Sequence, residues 1–240
     1  MSGKRSLRKG AAVCASVCLG LYLVASMPGR CGAAGKGAVR LAPLAASELA
    51  LHKLPFKIVY ESLRRTGGRE NWELILMNAD GSEQVNLTRS PHCDEMYPHA
   101  SPDGRKVCFV ADEMADGAKI RNVYFMNIDG TGRVKVAENA RQACWSADSR
   151  QIAYLKAEYE RYTIKDYATR GIFFYDTKTG AVRQHPNKNL YHLYNICWSF
   201  DGRWLLATVH GGMGFKHAVL AIEADGDGVY DLTRFGVTGC

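Results

Sequence analysis

One short stretch, SPDGRKVCF at positions 101 to 109, constrains the fold more than any other because versions of it return, as WSADSRQIAY at 145 to 154 and WSFDGRWLLA at 198 to 207. Each copy carries a Ser, one variable residue, an Asp, a small residue, a basic or polar pair and an apolar run. Ser101-Pro102-Asp103-Gly104 is a tight turn by its chemistry. Pro fixes φ at the second position, Asp bonds its own backbone, and Gly takes a left-handed angle without steric cost. The strand expected next, Val107 to Ala111, is apolar on both faces, which fits a strand buried between two neighbouring sheets.

A second element recurs in step with the first. LILMNADGSEQVNLT (74 to 88), VYFMNIDGTGRVKVA (123 to 137), IFFYDTKTGAVRQHP (172 to 186) and AVLAIEADGDGVYDLT (218 to 233) each place an apolar strand before a polar turn ending in Gly. From Gly81 to Gly130, Gly180 and Gly226 the steps are 49, 50 and 46 residues, near the length of a propeller blade of four antiparallel strands. Such a unit cannot bury both faces alone, so unit must stack on unit and the strand aromatics and aliphatics form the core. The expectation is an all-β chain: a β-propeller of four-stranded antiparallel blades with about four repeats, at 56–98, 99–145, 146–198 and 199–240. Four blades lie at the low edge of propellers, and repeat four stops where an inner strand is due, so the pattern reads as an incomplete six- to eight-bladed propeller. Closure of four blades by a strand from residues near 40 to 55, and an open arc, are the alternatives.

The pairing of SPDG-type turns with MNADG and with Asn86-Leu87-Thr88 and Asp231-Leu232-Thr233 resembles the repeat of the TolB family, periplasmic proteins of the Tol-Pal envelope system. The likeness covers residues 56 to 240. It implies a β-propeller that binds an envelope protein or peptide. The same repeat occurs in prolyl-oligopeptidase-type peptidases and in some polysaccharide lyases. Ser149 replaces the turn Gly in the third copy, and no counterpart of the TolB amino-terminal α/β domain is visible before residue 56.

The amino terminus reads as an export signal over residues 1–34. MSGKRSLRKG is basic, an uncharged run of 17 residues follows, and Gly32-Ala33-Ala34 offers a cleavage site. A retained anchor is the alternative and would be the chain's one route to a membrane. Removing Lys4, Arg5, Arg8, Lys9 and Arg30 takes the formal charge from +7 to +2, which leaves no dense basic face for nucleic acid. Residues 35–55 read as a linker or short helix. The chain is expected to be periplasmic or secreted. Of its eight cysteines, Cys93, Cys108, Cys144, Cys197 and Cys240 follow the leader, and Cys144 and Cys197 occupy equivalent places, as a disulfide or as buried thiols.

Chemistry is sparse. No G-x-S-x-G elbow is present and the repeated serines belong to turns, so a hydrolase triad is disfavoured. The Asn78–Gly81, Asn127–Gly130 and Asp225–Gly228 turns lack the Glu of a calcium loop. No catalytic residue, metal ligand or cofactor is expected. The segments HCDEMYPHAS and NLYHLYNICWS precede turns, where inner strands line a propeller channel. They make Asp94, Glu95, Tyr97, His99, Tyr191, His192, Tyr194 and Asn195 the candidate binding residues at the channel mouth. The expected function is a non-enzymatic binding platform, with a carbohydrate-active lyase that uses histidine-bound metal, or a peptidase propeller, as the alternative.

Overall fold

Turn chemistry dictates the local structure, and the computed structural model, which describes residues 50–158 and 168–236, shows it three times over. At each turn the Ser hydroxyl donates to the Asp carboxylate at 2.6 Å: Ser101 to Asp103, Ser146 to Asp148 and Ser199 to Asp201. The same hydroxyl accepts the amide of the first strand residue, Lys106, Gln151 or Trp204, and so clamps the hairpin shut. Gly104 and Gly202 sit at φ +70° and Ser149 at φ +60°, so the serine holds the left-handed position without a glycine's freedom. Its hydroxyl compensates in part by accepting the Asp103 amide of the neighbouring sheet at 3.0 Å.

Phe56 to Cys240 form one compact unit, separate from Met1–Pro55. Its first sheet has three strands in the order β1 (Lys57–Thr66), β2 (Arg69–Asn78), β3 (Val85–Asn86). Three four-stranded sheets follow. The second holds β4 (Asp94–Ala100), β5 (Lys106–Ala115), β6 (Ala118–Asn127) and β7 (Val134–Ala137). The third holds β8 (Ala140–Trp145), β9 (Gln151–Ala157), β10 (Thr169–Asp176) and β11 (Val182–Gln184). The fourth holds β12 (Leu193–Trp198), β13 (Trp204–His210), β14 (His217–Glu223) and β15 (Val229–Asp231). All pairings are antiparallel.

These are the antiparallel blades of a propeller, and four in sequence fit an incomplete one. The strand before each Ser-Asp turn pairs with the strand after it, because the turn is a tight hairpin. Each sheet therefore begins one strand earlier than the sequence unit. Among the described residues nothing precedes β1 in its sheet, so the first blade has three strands where the repeat predicts four. The expected leader and Cys240 lie outside the described residues, as does most of the 35–55 segment, in which Leu51–Lys53 form a single 3-10 turn.

Sheets pack in chain order, the first on β4, the second on β8 and the third on β12. Val59, Leu74 and Leu76 meet Val107, Phe109, Tyr124 and Met126. Cys108, Val110, Val123 and Phe125 meet Trp145, Ile152 and Tyr154, and Ala153, Leu155, Ile172 and Phe174 meet Leu205, Ala207, Leu220 and Ile222. Val107 to Ala111 are at most 1% exposed, the two-faced burial that their continuous apolar run predicts. An aromatic clasp repeats between sheets: Trp145 lies edge-on to Phe125 at 6.0 Å, and Trp198 against Phe174 at 5.4 Å. Cys144 and Cys197 stand as separate thiols, Cys144 buried and Cys197 exposed.

Candidate functional site

The inner strands β4, β8 and β12 share a distortion that residue type alone does not announce. Each breaks register midway, between Met96 and His99, Arg141 and Cys144, and Tyr194 and Cys197. Tyr97, Gln142 and Asn195 occupy the same place ahead of the turn serine and all take left-handed backbone, φ +55°, +58° and +51°. A bulge of this kind frees an amide from the ladder and re-aims it. Here it turns toward the neighbouring sheet: the Tyr97 amide donates to the Glu61 carboxylate, and the Asn195 amide to the Gln142 side-chain oxygen. Glu61 and Gln142 thus belong to the site, and sequence reasoning missed both. Counting back from each turn serine would have found Gln142; Glu61 carries no such signal.

On the second sheet the candidates divide. Asp94 accepts the Trp72 amide at 3.2 Å and pairs with Lys119 at 2.7 Å, at the end of the sheet where Asp112 and Arg121 form a buried two-pronged ion pair. Tyr97 is half exposed beside them, with the Arg121 guanidinium 5.5 Å from its ring. Glu95 is fully buried and not at the mouth. One oxygen accepts Arg133 at 2.7 Å, and the other has no partner. Burial raises its acid to about 7; the Arg133 hydrogen bond and charge oppose the shift, and buried Glu73 adds to it. Its equivalents in the next sheets are the core residues Ala140 and Leu193, so a carboxylate stands where the repeat wants hydrocarbon. His99 is also turned inward: its Nδ1 is buried without a partner, its carbonyl accepts the Trp145 indole at 2.9 Å, and burial lowers its pKa.

On the fourth sheet the candidates do gather. His192 Nε2 lies 3.1 Å from Glu158 and its Nδ1 3.2 Å from the Gly211 carbonyl, while its ring meets Tyr191 edge-on at 5.1 Å. Tyr194 lies under the Arg141 guanidinium at 5.4 Å and edge-on to His210 at 6.4 Å. His210 and His217 face each other across the β13–β14 hairpin with ring centroids 4.0 Å apart. The third sheet's β8 separates the β4 and β12 groups in the packing order, so the candidates fall in two groups, and Glu95 and His99 of the first belong to the interior. The two groups offer one exposed and one half-buried tyrosine, Tyr97 and Tyr194, each beside a guanidinium, with carboxylates and imidazoles already engaged by neighbours.

The polar turns at the outer hairpins hold their own acids. Asp80 accepts from Ser82 and Asp129 from Thr131, each at 2.6 Å from the hydroxyl. Among the described residues no three His, Cys, Asp or Glu side chains gather within reach of one metal ion. Among them also, no helix is long and apolar enough to cross a membrane.

No family model matches the chain. The Tol-Pal system protein TolB of Thioalkalivibrio sulfidiphilus (strain HL-EbGR7) is 32% identical over 81 residues, which is 34% of this chain and 18% of that relative's length. Among solved structures, a chain of a nidogen/laminin complex superposes with TM-score 0.51 at 10% identity, over 73% of this chain and 77% of the other. An oligogalacturonate lyase in complex with manganese superposes at TM-score 0.49 and 14% identity, over 73% of this chain and 50% of the other. The superposition on the chain of the nidogen/laminin complex supports a propeller fold, and the stretch of identity makes it TolB-like over the 81 matched residues.

Proposed function

We propose that the chain is an exported, non-enzymatic binding platform of the bacterial cell envelope, which recognises a protein or peptide partner in a TolB-like manner. The observation that carries this reading is the pairing of a tyrosine with an arginine on the rim, Tyr97 with Arg121 and Tyr194 with Arg141. Tyrosine is enriched among the residues that dominate protein interfaces, because it presents a large, stiff contact area with a polar handle, and the buried Arg121 and Arg141 hold these two rings from behind. The bulges in β4 and β12 hold Tyr97, and the Asn195 that follows Tyr194, on a backbone fixed from the neighbouring sheet, so the rings are pre-organised. The leader-like amino terminus and the partial identity to TolB support the envelope setting.

A second reading, a propeller-type carbohydrate-active enzyme, is favoured by the convergence of His192, His210 and His217 on one rim. One experiment separates the two. Immobilised protein is presented to solubilised envelope proteins, with metal content and polyuronate cleavage measured on the same sample. The platform reading expects specific capture that Tyr194→Ala weakens about tenfold or more, with no stoichiometric metal. Bound metal and uronate cleavage that vanish together in His192→Ala would overturn it.

A further inference from the structure

We propose that the seam between the third and fourth sheets is a proton-operated latch, in which the His185 imidazole ties the sheets together while neutral and parts them once it takes a second ring proton. The repeat marks the place. Asn78, Asn127, Asp176 and Glu223 each close an outer hairpin turn with their amides, and nine residues after them stand Leu87, Val136, His185 and Leu232. The backbone agrees: the Leu87 amide donates to the Leu74 carbonyl and the His185 amide to the Ile172 carbonyl, each at 2.8 Å. Three repeats put hydrocarbon there. The third puts an imidazole, and His185 is fully buried.

Both ring nitrogens are committed. Nε2 lies 2.6 Å from the Glu223 carbonyl of the fourth sheet, which can only accept, so Nε2 carries the hydrogen. Nδ1 accepts the Asn187 amide at 3.1 Å, and Asn187 Nδ2 donates to the Asp227 carbonyl across the seam at 3.1 Å. A proton on Nδ1 would face the Asn187 N–H, so taking it up loses that hydrogen bond and leaves a cation out of water.

The charged groups around the ring are Arg183 and Lys188 on its own sheet and Glu223, Asp225 and Asp227 on the fourth. Lys188 donates to the His185 carbonyl at 3.0 Å, and Arg183 lies over the Phe174 ring and pairs with Asp225 at 2.9 Å. The Glu223 carboxylate accepts the Gly228 amide and the Tyr230 hydroxyl. None of these acids therefore stands ready to pair with an imidazolium. Burial holds the imidazole's pKa below its usual value; the Glu223 carbonyl and Asp225 oppose this, and Arg183 adds to it. The stability His185 lends the seam is complete above the ordinary imidazole value of 6.5 and is lost as pH falls below it. Opening would bare Phe174 and Trp198, whose rings meet at 5.4 Å across the same seam. This inference stands apart from the proposed binding role.

Amide hydrogen exchange on the full chain, at about pH 7.5 and about pH 5 and corrected for the intrinsic rate at each, tests it. In the parent, protection of β13 and β14 amides such as those of Leu205 and Leu220 should fall at the lower pH by up to about thirtyfold, the limit for an imidazole that takes its proton only on release. His185→Gln keeps an amide donor for the Glu223 carbonyl and has nothing to titrate, so its protection should be the same at both pH values. His99→Gln, which removes another inward-turned imidazole, should leave the fall in place. Should His185→Gln not fold, the ring nitrogen shifts of the parent give the answer, because His185 stays the Nε2–H tautomer while the seam is closed. The proposal is overturned by a parent without the fall, by a fall that survives in His185→Gln or vanishes in His99→Gln, or by an imidazolium at His185 with the seam closed.

Discussion

Two residues carry the clearest local tests. Gly104 and Ser149 hold the same left-handed turn position, and a Cβ at Gly104 would meet nothing within 4 Å, so the strain of a substitution is purely conformational. Gly104→Val should therefore cost about 1–2 kcal/mol. Ser149→Gly relieves strain but gives up the hydrogen bond from the Asp103 amide, and should stay within about 0.5 kcal/mol of the parent. Urea unfolding of both variants compares them; similar losses would mean that the two turns are not equivalent. Glu95 makes a pH-dependent case. Burial lifts its acid to about 7 against 4.5 for the exposed group, so the folded chain holds this proton more tightly than the unfolded one. The stability it contributes is present below about pH 4.5 and is lost as pH rises through about 7. Glu95→Gln keeps an acceptor for Arg133 and should gain on the order of 1–2 kcal/mol at pH 8, with no gain near pH 4.5. A pH-independent difference would show that the side chain is not titrating there.

At the scale of strands and turns, the Trp clasps behave differently despite their equivalent places. The Trp145 indole donates to the His99 carbonyl, whereas the buried Trp198 indole nitrogen has no partner. Trp145→Phe should cost about 1 kcal/mol more than Trp198→Phe, because only the first orphans a carbonyl; denaturation midpoints of the two variants give the answer. The turns and the strand order could be read in the sequence because Ser-x-Asp-Gly chemistry is local and the apolar runs are regular. The bulges could not. Asn195 tolerates a left-handed backbone, but Tyr97 and Gln142 give no such signal, and the register slip depends on Glu61 and Gln142 from other sheets. That the first sheet holds three strands among the described residues is likewise a matter of long-range pairing. Of the candidates, Tyr97, Tyr191, His192 and Tyr194 lie outside the core clusters, Tyr97 and Tyr191 exposed and the other two half-buried. Glu95 and His99 share the inner-strand segment that points to the mouth, but the strand has two faces, and the repeat, which puts buried Ala140 and Cys144 in their places, assigns both to the interior.

For the whole molecule, the governing fact is that each sheet touches mainly the sheets before and after it in the chain. Stability in such an array is a sum of unit and neighbour terms, not a property of one shared core. The second and third sheets are supported on both sides, and the fourth has Leu206 and Tyr230 at a surface. Opening should therefore start at the ends and move inward. In deuterium, amides of β5 and β9, such as those of Phe109 and Tyr154, should exchange at rates set by global unfolding, while those of β13 and β14 exchange sooner through local opening. Uniform protection across the sheets would indicate a single cooperative unit. A gradient would make the outward face of β13 and β14, where Leu206 and Tyr230 are exposed, the most dynamic surface among the described sheets.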